Sequence, residues 1–153
     1  MRLTQRTDYA LRVLMYCAFH QERATPPTIA EIAESHKVSR SHLMKVVMEL
    51  SAFGWLSTTR GRGGGLRLLM PAEKIVIGEV VRKMEDDFTM VECFSVEGNA
   101  CQIDGRCKLK NVLSDALAAY MAVLDSVTLE ALVKGSAKMV PIPMSFQKTS
   151  SKK

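Results

Sequence analysis

The stretch Thr28–Met70, TIAEIAESHKVSRSHLMKVVMELSAFGWLSTTRGRGGGLRLLM, contains two apolar-periodic segments, a tight break between them, and a glycine-rich turn between two short extended runs. Thr28 followed by Glu31 fits a capping box, in which each side chain meets an orphan backbone N–H. A helix therefore starts there, with Ile29, Ile32 and Ala33 facing inward. His36-Lys37-Val38 is a tight turn, and Ser39 is a good N-cap for the next helix. Leu43, Val46, Val47 and Leu50 then recur at i, i+3, i+4 and i+7, which defines a buried stripe. Gly54 ends that helix, Trp55–Arg60 and Leu66–Met70 read as strands, and Pro71 stops the second.

On the N-terminal side, Ala10, Leu11, Val13, Leu14, Met15, Cys17 and Ala18 give a broad apolar face to a helix over Thr4–Phe19, followed by a loop over Gln21–Pro27. On the C-terminal side a helix is expected over Ile77–Asp86. An irregular stretch with Cys93, Cys101 and Cys107 follows, broken by Gly98, Asn99 and Gly105. A long helix over Lys108–Leu124 carries more apolar residues than one intramolecular face needs, and a short helix follows Thr128. Three helices and a two-stranded hairpin predict a mainly α, winged helix-turn-helix fold with a long C-terminal helix. The expected organisation is a winged-helix unit over 1–71, a cysteine loop and helical arm over 72–134, and a disordered basic tail over 135–153.

Charge follows that division. Residues 1–70 hold ten Lys and Arg against five Asp and Glu, residues 71–134 hold seven against eleven, and the tail holds four against none. A basic unit beside an acidic one suggests that the first meets a polyanion. No 18-residue apolar run is present, so no membrane partner is expected, and the polar opening predicts a cytoplasmic protein. Ser39, Arg40, Ser41, His42 and Lys45 lie at the start and on the outer face of the second helix of the pair, with donors suited to phosphates and base edges. Arg60 and Arg62 sit on a turn, Gly61-Arg62-Gly63-Gly64-Gly65, that can approach a duplex closely, and an Arg there fits a narrow minor groove. The same turn lacks the lysine of a phosphate-binding nucleotide loop and opens no helix. Double-stranded DNA is the expected partner, and no catalytic constellation or nucleotide motif points to an enzyme.

Three of the four cysteines are spaced Cys93-x7-Cys101-x5-Cys107, gaps that no helix face shares, so a loop must gather them. Zinc sites use closer pairs and a fourth Cys or His, and the histidines here are His20, His36 and His42, all far upstream. Soft thiolates in a reducing compartment suit an iron–sulfur cluster with one non-cysteine position, while zinc and metal-free thiol sensing stay open. Cys17, amid the apolar residues of the first helix, reads as a buried small hydrophobe.

Several motifs carry a resemblance: Arg2-Leu3-Thr4, Thr7-Asp8-Tyr9-Ala10-Leu11-Arg12, the wing Gly61–Leu66, Glu92-Cys93, Cys101, Cys107-Lys108-Leu109, and Leu124-Asp125 with Thr128-Leu129. Over about residues 1–134 the chain resembles the iron–sulfur winged-helix regulators that include IscR, and within them the nitric-oxide-sensing NsrR group. The resemblance implies a homodimer paired through the Lys108–Leu124 helix, which makes that element a dimerisation helix. It further implies a repressor of a roughly palindromic operator and an iron–sulfur cluster on Cys93, Cys101 and Cys107. A 4Fe–4S form is favoured, with 2Fe–2S as the alternative. Asp8 of the partner subunit occupies the position of the fourth ligand, and its other reading is a first-turn acid favoured by the helix dipole. The seven-residue first gap, and the lack of a histidine after Cys107, depart from the IscR pattern. An IscR-like regulator of iron–sulfur status, a metal-free thiol-sensing regulator and a cluster-carrying electron-transfer protein are the alternatives.

Overall fold

The computed structural model describes residues 2–95, 99–103 and 106–134. The expected tail over 135–153, and the breakers Gly98 and Gly105, lie outside them. Among the described residues six α-helices and one hairpin follow in order: α1 Gln5–Phe19, α2 Ile29–His36, α3 Arg40–Ala52, β1 Leu56–Thr59, β2 Gly65–Leu68, α4 Ile77–Met84, α5 Lys108–Asp125 and α6 Leu129–Lys134.

The helix starts are made by short-range chemistry. Thr4 caps α1 by accepting from Thr7 N at 3.3 Å, and Thr28 caps α2 by accepting from Glu31 N at 3.2 Å. The return half of the capping box is replaced: the Glu31 carboxylate accepts from Tyr16 Oη at 3.2 Å and from Arg23. Arg23 holds Glu31 below the usual carboxylate range. Ser39 occupies the N-cap position of α3 but makes no cap hydrogen bond; its hydroxyl meets that of Ser41 at 2.7 Å. Between α2 and α3 the chain reverses through Lys37, which takes a left-handed conformation (φ 53°). Its N–H and that of Val38 close the end of α2 on Glu34 O and Ala33 O.

β1 and β2 pair antiparallel with Leu56 opposite Leu68 and Thr59 opposite Gly65. The second strand begins one residue earlier than expected because Gly65 joins the ladder. A Cβ at that position would stand 2.7 Å from the carbonyl oxygens of both Pro26 and Pro27. Only glycine lets the hairpin lie against that loop, where Leu66 N donates to Pro27 O at 2.8 Å.

The core is continuous from α1 to α6. Leu14, Val13, Ile32, Leu43, Leu50 and Leu56 pack with Ile75, Val80, Val81, Met84 and Leu129 in one buried cluster. α4 ends at Met84, two residues before the expected end at Asp86, because the acids beyond it serve the start of α1. Glu85 accepts from Thr4 N at 2.8 Å and from its hydroxyl at 3.1 Å. Arg6 donates to Met84 O and to Asp86. After α5 the chain returns to the core: Ile77 N donates to Val127 O and Leu129 N to Ile75 O. α6 then packs on α1.

Candidate nucleic-acid interface and cysteine loop

α3 buries Leu43, Val46, Val47 and Leu50, so its opposite face is left to solvent. Ser39, Arg40, Ser41, His42 and Lys45 are all exposed, as are Arg60 and Arg62 on the hairpin turn. The exposed face is divided between two grooves. Arg40 and Arg60 line one of about 420 Å³, between α3, the start of α2 and the wing. His42 and Lys45 line the other, of about 200 Å³, with Gln5, Arg6 and Tyr9 of α1. The wing tip turns through Gly61 and Gly63, both at positive φ, and Gly64 N donates to Gly61 O at 3.0 Å.

Residue-type reading missed part of this surface. Thr28, Met44, Met48, Thr58 and Thr59 line the first groove beside the two arginines. Met44 and Met48 were legible in one respect: they fall on the side of α3 that the Leu43–Leu50 stripe leaves free.

The three loop cysteines are free thiols of intermediate exposure, whereas Cys17 is buried and its thiol is pushed up to about 12 by burial. Cys93 stands in a short 3₁₀ turn, Glu92–Phe94. It lines a cavity of about 620 Å³ with Phe88, Phe94, Lys110 and Leu117. Cys101 N donates to Asn99 Oδ1 at 3.0 Å. Cys107 is the N-cap residue of α5, at the positive end of the helix dipole. Among the described residues no three His, Cys, Asp or Glu side chains are gathered as a metal site. The thiols are therefore present as donors without being brought to one point. Asp8 lies in the first turn of α1, and both its carboxylate oxygens accept from Arg12 Nε at 3.0 Å. Both side chains of that pair are about half exposed.

α5 turns Leu113, Leu117, Met121 and Leu124 toward its own subunit. Leu109, Val112, Ala116, Ala119 and Val123 stay exposed at alternating steps of three and four. No helix among the described residues is long and apolar enough to cross a membrane.

The family model of the Rrf2 proteins, described as iron-dependent transcriptional regulators, matches residues 3–135. The HTH-type transcriptional regulator NsrR of Bacillus subtilis is 50% identical over 142 residues, covering 93% of this chain and 97% of the relative. NsrR of Bacillus licheniformis is 48% identical over 87% of this chain and 92% of its own length. Among solved structures, a putative transcriptional regulator from Listeria innocua superposes with a TM-score of 0.73 at 27% identity, covering 89% of this chain and 88% of that one. IscR from T. potens shares the fold, with a TM-score of 0.69 at 24% identity over 95% of this chain and 97% of that one. These relatives are regulators of transcription and not enzymes. Winged helix, basic recognition face and sequence together place this chain in the Rrf2 family of DNA-binding transcriptional regulators.

Proposed function

We propose that the chain is a homodimeric repressor that responds to nitric oxide through an iron–sulfur cluster held by Cys93, Cys101 and Cys107. The carrying observation is that a winged helix with Arg40 and Arg60 on one groove shares a continuous core with α4, after which three free thiols lead into α5. The donor set fits the group: three soft, solvent-reachable thiols, with no fourth cysteine or histidine in the loop. Half-identity to a relative named NsrR supports the same reading. A 4Fe–4S form with Asp8 of the partner subunit as fourth ligand is favoured over 2Fe–2S. When bound, such a cluster supplies irons with one hard-ligand position that nitric oxide can attack.

The chain's own residues convert that event into a change at DNA. Cys107 fixes the first turn of α5, and Cys93 fixes the segment that continues from α4. That segment is held to α1 by Arg6 on Met84 O and Asp86, and α1 packs on α3. Asp8 sits on the same α1, so as the fourth ligand to a cluster held by the partner's three cysteines it would help set the spacing of the two recognition helices on a roughly palindromic operator. Loss of that ligand would free the spacing and lower operator affinity.

The test is anaerobic purification in iron-replete cells, followed by titration with nitric oxide while absorbance near 400 nm and operator gel shift are read together. Loss of the band in step with release of DNA is expected. Release of DNA with no iron or sulfide ever present would overturn the cluster reading and leave the regulator.

A further inference from the structure

We infer that Met44 reads thymine methyl groups in the major groove, with Met48 extending the same apolar strip, so that this regulator selects thymine at positions beneath the middle of its recognition helix. The inference rests on the DNA-binding reading and specifies which base chemistry that surface takes.

A single exposed apolar side chain needs no explanation, but neighbouring ones that share a groove form a patch of the kind that marks an interaction surface. Met44 is 54% exposed and Met48 71%, four residues apart, on the same helix as the buried Leu43, Val46, Val47 and Leu50. Both line the groove between α3 and the wing. Arg40 stands one turn before Met44 on α3, and Arg60 lies across the groove on the hairpin. Among the described residues no carboxylate lines this groove. An apolar strip between two cations, with no acid, is complementary to a surface that is apolar at its centre and anionic along both sides. A duplex major groove over thymines has that character: the C5-methyl groups project from its floor, and phosphates run along its two walls. A partner protein would meet the strip equally well but gives no reason for the flanking cations. Methionine suits the task because its unbranched, polarisable thioether adapts to methyl groups at slightly different depths.

The probe is a set of duplexes selected by the full-length protein from a pool with a randomised 25-base-pair centre. Each thymine in the selected consensus is then replaced singly by deoxyuridine, which removes the methyl and leaves every hydrogen-bonding group in place. Wild type is expected to lose about fourfold in affinity at one or two thymines per half-site, equivalent to ~0.8 kcal/mol for one methyl withdrawn from an apolar contact. Met44→Ala is expected to bind more weakly and to be indifferent to deoxyuridine at those same positions. Met44→Leu should retain the sensitivity, and Met44→Gln, similar in length but polar, should lose it. Because Met44 is exposed, an unchanged thermal midpoint is expected for all three variants.

Two results would overturn the inference. One is selective binding in which no deoxyuridine costs more than twofold. The other is a deoxyuridine effect of equal size in wild type and Met44→Ala. Failure of the underlying reading looks different: the pool would yield no consensus and binding would not depend on salt.

Discussion

Burial separates Cys17 from the other three thiols more sharply than sequence position does. Cys17 is 2% exposed among the side chains of α1, and desolvation favours its neutral form. Treating reduced, iron-free protein with iodoacetamide should alkylate Cys93, Cys101 and Cys107, and reach Cys17 only after denaturation. Mass spectrometry of the native protein should thus count three additions, and a fourth would mean that α1 opens readily. Cys17→Ser places a hydroxyl where no partner was needed, at a cost of about 1–3 kcal/mol in stability, while iron content after reconstitution should be unchanged. Asp8 calls for a different test, since its visible partner is Arg12 on its own helix. An exposed pair of this kind contributes about 0–1 kcal/mol, so Asp8→Ala should leave the thermal midpoint almost unmoved. As a cluster ligand it should nevertheless lower operator affinity of the iron-loaded protein and hasten loss of the 400 nm band. Equal behaviour of variant and wild type on both readouts would reduce Asp8 to a first-turn acid. The sequence made the thiols legible because their types and spacing carry chemistry; Asp8 entered only through resemblance, because no spacing argument spans the 85 positions to Cys93.

At the scale of elements, the two helices of the recognition pair differ in how they begin. Thr28 closes the first turn of α2 with its side chain, and Ser39 leaves the first turn of α3 without a side-chain cap. Thr28→Ala should therefore cost about 1 kcal/mol in a urea melt, whereas Ser39→Ala should cost only a few tenths. For Ser39→Ala the larger effect should be on DNA. The α3 N-terminus keeps its N–H groups and the Ser39 and Ser41 hydroxyls for phosphate, so Ser39→Ala should weaken gel-shift binding with little effect on stability. If both substitutions lower stability equally, the Ser39–Ser41 hydrogen bond is not the resting arrangement. Helix starts were readable because a cap and its partner lie within three residues of each other. The end of α4 was not, since what draws Glu85 and Asp86 out of the helix is Thr4 and Arg6, some eighty residues away. Nor was the fate of Glu31, taken from its capping box by Arg23 and by Tyr16 of α1.

Over the whole molecule, the long helix is fastened at one end and bare along one side. Near its C-terminus, Asp125 accepts from Arg82 through both oxygens at 2.6 Å. Gly78 on α4 leaves room for this carboxylate, since a Cβ there would stand 2.0 Å from Asp125 Oδ1. Arg82 holds the Asp125 carboxyl below its ordinary value. The stabilisation is therefore complete above the unfolded carboxylate range, near pH 4, and is lost as pH falls through the lower native value. Thermal midpoints of iron-free wild type should fall more steeply below about pH 4 than those of Asp125→Asn, and the two slopes should match at neutral pH. Parallel slopes throughout would mean that the pair does not fasten α5.

The bare side concerns assembly. Leu109, Val112, Ala116, Ala119 and Val123 recur at the 3.5-residue period of a helix that packs against another, yet among the described residues they stay exposed. Small residues at 116 and 119 allow close approach at the centre of the stripe, with larger ones towards the ends. A second copy of α5 fits that profile, and Ala119→Glu would place a charge where the two would meet. The substitution is exposed in the isolated subunit, so circular dichroism and the winged-helix core should be unchanged. Sedimentation should find the wild type dimeric and Ala119→Glu monomeric. Each recognition helix would then bind its half-site alone, and the effective concentration that linkage supplies, worth about 10²–10⁴ in affinity, would be lost. Affinity for a palindromic operator should fall by a factor of that order, while the weak binding of an isolated half-site should stay as it was. A variant that remained dimeric would move the interface off α5, and one that became monomeric with full operator affinity would remove the need for a dimer at DNA.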